Sequence, residues 1–91
     1  MSGKGVTNLK KVKLFALSTC GWCKKVKRFL DSHDVDYACE DVDLLTGDEK
    51  TLCVKELQRW NPRRNYPTIV IDDDIVIVGF HENRLREALG L

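Results

Sequence analysis

Cys20-Gly21-Trp22-Cys23 is the segment of this chain best suited to chemistry. Two thiols separated by two residues can meet across one helical turn, because positions i and i+3 share a face. There they can close a reversible disulfide. A helix start also offers unpaired N–H groups and the positive end of the helix dipole, which favour a thiolate over a thiol. Cys20, the outer sulfur, is therefore the expected nucleophile. Lys24 and Lys25 should help to lower its pKa toward the range of about 3.5–7.5 found for reactive cysteines. Cys23, one turn inside, is expected to be more buried, less ionised and second to act. In that cycle Cys20 attacks a disulfide, a mixed disulfide forms, and Cys23 displaces the reduced product. The competing use of a CxxC pair is half of a zinc site, which needs about four ligands. Cys39, Cys53, His33 and His81 supply neither a second CxxC nor an HxxxH spacing, so no metal is expected.

Tyr66-Pro67-Thr68 is the second signal. A proline lacks the N–H a sheet needs and so belongs at a strand start. X–Pro bonds also tolerate the cis form. A cis Pro67 would turn the backbone of Tyr66 toward the sulfurs, whereas a trans Pro67 would merely open a strand. Trp22 has two readings: a cover or docking surface beside Cys20, since Trp is enriched at binding hot spots, or packing against the sheet edge. Cys39, on a strand, and Cys53, on an apolar helix face, read as small buried hydrophobes. Trp60 reads as core, and His33 and His81 as groups at helix ends near the surface.

These residues need elements to hold them. Residues 12–17 are apolar enough for a buried central strand. Helical spacing of Trp22, Val26, Phe29 and Leu30 predicts a helix ending near Ser32-His33-Asp34, with Lys24, Lys25, Lys27 and Arg28 on its wet face. Alternation over residues 36–43 predicts a second strand. Thr46-Gly47-Asp48-Glu49 matches a capping box, opening a helix to about Trp60 with Leu52, Cys53, Leu57 and Trp60 inward, ended by Asn61-Pro62. Residues 68–71 and 75–78 are β-branched runs separated by Asp72-Asp73-Asp74, a hairpin signal. A last helix over about 82–89 turns Leu85, Ala88 and Leu89 inward. The order β-α-β-α-β-β-α gives an α/β fold, a four-stranded mixed sheet flanked by three helices. A right-handed crossover makes its first two strands parallel. The CxxC then lies at the C-terminal end of the first strand, where such sheets carry their sites.

Ninety-one residues allow one domain. It is expected over residues 11–91, after a flexible tail at 1–10. Fifteen basic and fourteen acidic residues leave a net charge of +1, which gives no electrostatic reason to expect nucleic acid or a membrane as partner. No apolar stretch approaches the ~20 residues that span a bilayer, and the interrupted apolar run at 12–17 does not make a signal peptide. A cytoplasmic protein with reduced cysteines is expected, in which a CxxC reads as redox-active.

In order and spacing, residues 12–30 with the CxxC, then Tyr66-Pro67-Thr68, then Val78-Gly79-Phe80 before the last helix resemble the glutaredoxins of the thioredoxin superfamily, over about residues 12–91. The resemblance implies the thioredoxin-like fold, a cis Pro67, Cys20 as nucleophile and Cys23 as resolving thiol. It also implies that Trp22, Lys24, Tyr66, Pro67, Gly79 and Phe80 contact the substrate. The implied partners are disulfide-containing proteins, with no required cofactor and a monomeric state. The chain departs from the family pattern at three places. Leu17 stands where a glutathione-contacting lysine is usual, Asn65-Tyr66 where Thr-Val is common, and Val78-Gly79-Phe80-His81 where Gly-Gly precedes an acid. Gly-Phe resembles small glutaredoxin-like hydrogen donors served by thioredoxin reductase. The reductant is thus open between glutathione, another low-molecular-weight thiol and a thioredoxin reductase-like donor, with Arg63, Arg64 and Lys24 as candidate carboxylate contacts. Gly21 resembles family members that hold a [2Fe-2S] cluster between subunits, which is the alternative function.

Overall fold

The apolar run becomes β1 (Val12–Ala16), an interior strand whose side chains serve both faces of the sheet. In the computed structural model, which describes residues 10–91, β1 pairs in parallel with β2 (Ala38–Asp41) and antiparallel with β3 (Thr68–Ile71). A hairpin adds β4 (Ile75–Val78) antiparallel to β3, giving the order β2-β1-β3-β4. Three helices follow the expected order: α1 (Gly21–Ser32), α2 (Gly47–Trp60) and α3 (Glu82–Leu89). The expected flexible tail falls, apart from Lys10, outside the described residues.

Two apolar clusters separate the layers. Leu14, Ala16, Ile69, Ile71 and Ile77 pack with Val26 and Leu30 of α1 and Leu85 of α3. On the opposite face, Phe15 and Val70 pack with Cys53 and Leu57 of α2. Two partly buried ion pairs cross between layers, Lys13–Glu56 at 2.8 Å and Lys27–Asp41 at 3.0 Å. The helices therefore press the sheet from both sides, and the C-terminal end of β1 emerges between α1 and the loop before β3.

Local chemistry explains where the elements stop. At the end of α1, Asp34 adopts the left-handed conformation, φ 56°. The Val35 N–H donates to Leu30 O at 2.9 Å and the Asp34 N–H to Asp31 O at 3.1 Å, the paired bonds of a Schellman cap. Glycine meets no Cβ penalty in that conformation. Asp34→Gly is accordingly expected to stabilise the fold by about 0.5 kcal/mol, read as a rise in thermal midpoint. In the hairpin, Asp72 and Asp73 both take positive φ, and the Asp74 N–H donates to Ile71 O at 3.1 Å. Aspartate tolerates this region better than most side chains.

Several expectations are corrected. The second strand is shorter than residues 36–43, because its partner β1 ends at Ala16↔Asp41 and Val42–Leu44 turns into a 3-10 segment that drops Val42 beneath α2. Cys39 is exposed rather than buried, since β2 is an edge strand. Leu52 is 66% exposed. The buried stripe of α2 runs through Cys53 and Leu57 to the half-buried Trp60, and Leu52 lies about 100° off it. Thr46 is the N-cap of α2, but its side chain makes no capping bond. Gly47 follows it at φ 60°, which breaks the helical geometry a capping box requires at that position. Trp60 is only half-buried, with the Arg59 guanidinium 5.7 Å from its ring centre.

Candidate active site

The turn after β1 delivers the first sulfur to the head of α1. The Cys20 N–H donates to Leu17 O at 3.1 Å, and Cys20 occupies the N-cap in an extended conformation. N-caps are ordinarily Ser, Thr, Asp or Asn, whose oxygen accepts a first-turn N–H. Here the Cys20 Sγ takes that role and accepts the Cys23 N–H at 3.2 Å. Beyond its chain neighbours and its own helix backbone, nothing lies within 4 Å of a Cβ placed on Gly21, so space is open on that side of the helix start.

The two thiols occupy different environments. Cys20 is half-buried, whereas Cys23 is buried in the core with Val26 and Leu30. Burial pushes the Cys23 thiol up to about 12, and its hydrogen bond to Cys20 acts in the same direction. Cys23 therefore keeps its proton at neutral pH and adds a second donor to the Cys20 sulfur. Linkage gives a testable sign. The folded-state pKa lies above the ordinary value of 9.0, so this contribution to stability is complete below pH 9 and lost as pH rises toward about 12. Urea midpoints of the reduced protein are expected to fall above pH 9, and less steeply for Cys23→Ala.

Ser18 fastens the cysteine loop to the start of the 3-10 segment. Its N–H donates to Asp43 Oδ1 at 2.9 Å and its hydroxyl to Asp43 Oδ2 at 2.6 Å. These bonds, the hydroxyl's first, hold the Asp43 carboxyl below its usual range. Asp43 was not among the site residues expected from the sequence.

The Tyr66–Pro67 peptide is cis, as the resemblance implied. The loop before it is tied down by a buried side chain. Thr68 Oγ1 donates to Asn65 O at 2.6 Å and accepts from Asn61 Nδ2 at 3.1 Å. Beyond Pro67, its carbonyl accepts the Gly79 N–H at 2.8 Å. Gly79 sits at φ 85°, which a side chain would resist. Together these bonds set Tyr66, Pro67, Gly79 and Phe80 along a groove of about 310 Å³ completed by Trp22 and His81.

Five of the six residues expected to contact substrate thus converge, and His81 joins them from the N-cap of α3. Lys24 is exposed on α1 and does not line the groove. Trp22 is 58% exposed, with Lys25 Nζ 4.6 Å from its ring centre. Trp22 thus stands at the groove, outside both apolar clusters. Tyr66 packs against both apolar clusters, and burial pushes its hydroxyl up. Arg63 and Arg64 lie on the exposed loop between α2 and β3. Among the described residues, no three His, Cys, Asp or Glu side chains converge as metal ligands.

Comparison with known proteins agrees with this geometry. The glutaredoxin family model matches residues 12–76. The crystal structure of Methanosarcina acetivorans methanoredoxin is 44% identical and superposes with a TM-score of 0.85, over 89% of this chain and 85% of that one. The glutaredoxin from Methanosarcina mazei Go1 is 46% identical, with a TM-score of 0.82 over 89% of this chain and 79% of that one. A glutaredoxin-like 8.6 kDa protein in a rubredoxin operon of Clostridium pasteurianum is 34% identical, covering 86% of this chain and 96% of its own length.

Proposed function

Because this chain belongs to the glutaredoxin family, we propose that it reduces protein or small-molecule disulfides through Cys20 and Cys23. One observation carries the reading. The half-buried Cys20 sulfur sits at a helix N-cap and accepts the Cys23 N–H, while the buried Cys23 keeps its proton. Hydrogen bonds of this kind are accepted better by a thiolate than by a thiol. Cys20 thiolate attacks one sulfur of the substrate disulfide, forming a mixed disulfide and expelling the other sulfur as a thiolate. The hydrogen bond from Cys23 to Cys20 then loses its charged acceptor. Cys23 passes its proton to the departing thiolate and attacks Cys20 Sγ, closing the Cys20–Cys23 disulfide and expelling the second substrate sulfur as a thiolate, which takes its proton from solvent. Two electrons have left the protein, and two external thiols, or a reductase, restore the dithiol.

In this reading the groove seats the substrate backbone against Pro67 and Gly79 and its side chains against Trp22, Tyr66 and Phe80. Lys24 acts only at long range. Leu17 in place of the family's lysine favours a donor other than glutathione. The protein works in the cytoplasm as a monomer. A coupled assay with a small disulfide tests the proposal, run in parallel with glutathione and its reductase, with thioredoxin reductase and with other low-molecular-weight thiols. One donor is expected to sustain turnover; if no donor does, the proposal fails.

The open space beside Gly21 favours a second reading, in which Cys20 carries a [2Fe-2S] cluster between two chains. Thiolates are the usual ligands of such clusters. Anaerobically reconstituted protein lacking iron and visible absorbance would remove it.

A further inference from the structure

The redox groove does not end at Phe80. The same ring lines a second, shallower cleft of about 340 Å³ with Lys25, Arg28, Phe29 and Ser32 of α1. Its volume lies at the low end of ligand clefts, which run from about 300 to 1,000 Å³. Its floor is aromatic: Phe29 and Phe80 meet edge to face, with centroids 6.1 Å apart. Its rim is cationic. Lys25 and Arg28 line it, and α1 carries Lys24, Lys25, Lys27 and Arg28 against one acid, Asp31, which accepts the Tyr37 hydroxyl at 3.2 Å. Lys27 is paired with Asp41, and Arg86, which lies over Phe29, is bonded to Glu82. Lys25 leans on Trp22. Lys24 and Arg28 are both exposed, and among the described residues their side chains have no ion-pair or hydrogen-bond partner.

We propose that this cleft docks an acidic, apolar-anchored segment of the partner protein whose disulfide Cys20 attacks. The proposal rests on the oxidoreductase reading above and adds the class of substrate. Because Phe80 lines both, one extended segment can run from the groove beside Trp22 and Pro67 into the cleft. An aliphatic or aromatic side chain would cover Phe80 and the exposed edge of Phe29, and carboxylates beside it would meet Arg28 and Lys24. Unpaired rim charges of one sign raise association rates with a partner of opposite sign and do so less at high salt.

Two probes separate this proposal from the reading beneath it. The first is a short Asp- and Glu-rich peptide with a central Phe, without cysteine, whose binding to the full chain is followed by fluorescence anisotropy at low and high salt. The second is the same peptide carrying a disulfide, compared with its lysine-rich counterpart and with a small uncharged disulfide. The acidic peptides are expected to bind and to be reduced about tenfold better than the basic ones at low salt. Arg28→Glu should erase about fivefold of that preference, and Arg28→Gln part of it, while reduction of the uncharged disulfide is unchanged in both. Equal handling of acidic and basic peptides, or equal binding of an oligonucleotide of matched charge, would overturn the docking proposal. Binding of the acidic peptide with no disulfide reduced would leave the docking site standing and overturn the oxidoreductase reading instead.

Discussion

Cys20→Ser is expected to lower disulfide reduction by at least about a thousandfold, roughly 4 kcal/mol of transition-state stabilisation. The loss should come without unfolding. Serine is a preferred N-cap, and its oxygen can accept the Cys23 N–H that the sulfur accepts now. Thermal midpoint and helix content should therefore match the parent, which isolates the chemistry from the fold. Cys23→Ser is expected to behave differently. The first attack survives because Cys20 keeps its place at the head of α1, but no second thiol can resolve the product. A covalent adduct between the protein and half of the substrate should accumulate and be visible by mass spectrometry. Substrates whose adduct a free thiol can resolve should still turn over, more slowly. Full activity in Cys20→Ser, or absence of any adduct in Cys23→Ser, would remove the assigned roles.

The sequence disclosed the elements whose signals are local. The β-branched runs on either side of Asp72-Asp73-Asp74 became β3 and β4 at the expected residues, and the helix over 82–89 likewise. Each signal there is complete within a few residues. Errors arose where a residue's environment depends on strand order. Cys39 alternates like a buried strand residue, but β2 lies at the sheet edge, and edge position is invisible to periodicity. Leu52 satisfies hydrophobicity but misses the stripe set by Cys53 and Leu57 by one position. The capping box at Thr46 fits by residue type, yet the φ of Gly47 decides whether the side chain can reach its N–H.

The site divides in the same way. The dithiol and Pro67 were legible because each has a local geometric reason, one helical turn and a strand start, whereas Gly79 and Phe80 were named only through the family resemblance, and the left-handed turn at Gly79 is visible only in the structure. Asp43 was not, since its partner Ser18 is distant in sequence and brought near only by the parallel pairing of β1 and β2. His81 reads as a surface group until the groove is assembled around it. Trp22 has helical spacing that suits the core, but in the first turn of α1, two residues past the N-cap, it is left exposed.

Thr68→Val is the second large effect expected. Thr68 is fully buried and joins three segments. Its hydroxyl donates to Asn65 O at 2.6 Å and accepts from Asn61 Nδ2 at 3.1 Å. Asn61 in turn closes α2 through its N–H to Leu57 O at 2.8 Å and accepts the Arg63 N–H on Oδ1 at 3.2 Å. Valine keeps the shape of threonine and removes the hydroxyl. Asn61 Nδ2 is then left with only the 3.4 Å contact to Asn65 O, in a buried setting where an unsatisfied donor costs about 1–3 kcal/mol. For a domain of this size, each kcal/mol lowers the thermal midpoint by about 4–8 °C. The functional consequence follows from position. Asn65 precedes Tyr66, and Thr68 follows Pro67, so releasing this link frees the groove wall opposite Trp22. KM for a peptide disulfide is expected to rise by about threefold or more, with the rate of the Cys20 attack on a small disulfide nearly unchanged. Ile69→Val, in the same strand but facing α1 and α3, should cost about 0.5–1.5 kcal/mol without moving KM. Equal KM in the two variants would show that the Asn61–Thr68 link holds the fold together and does not position the substrate groove.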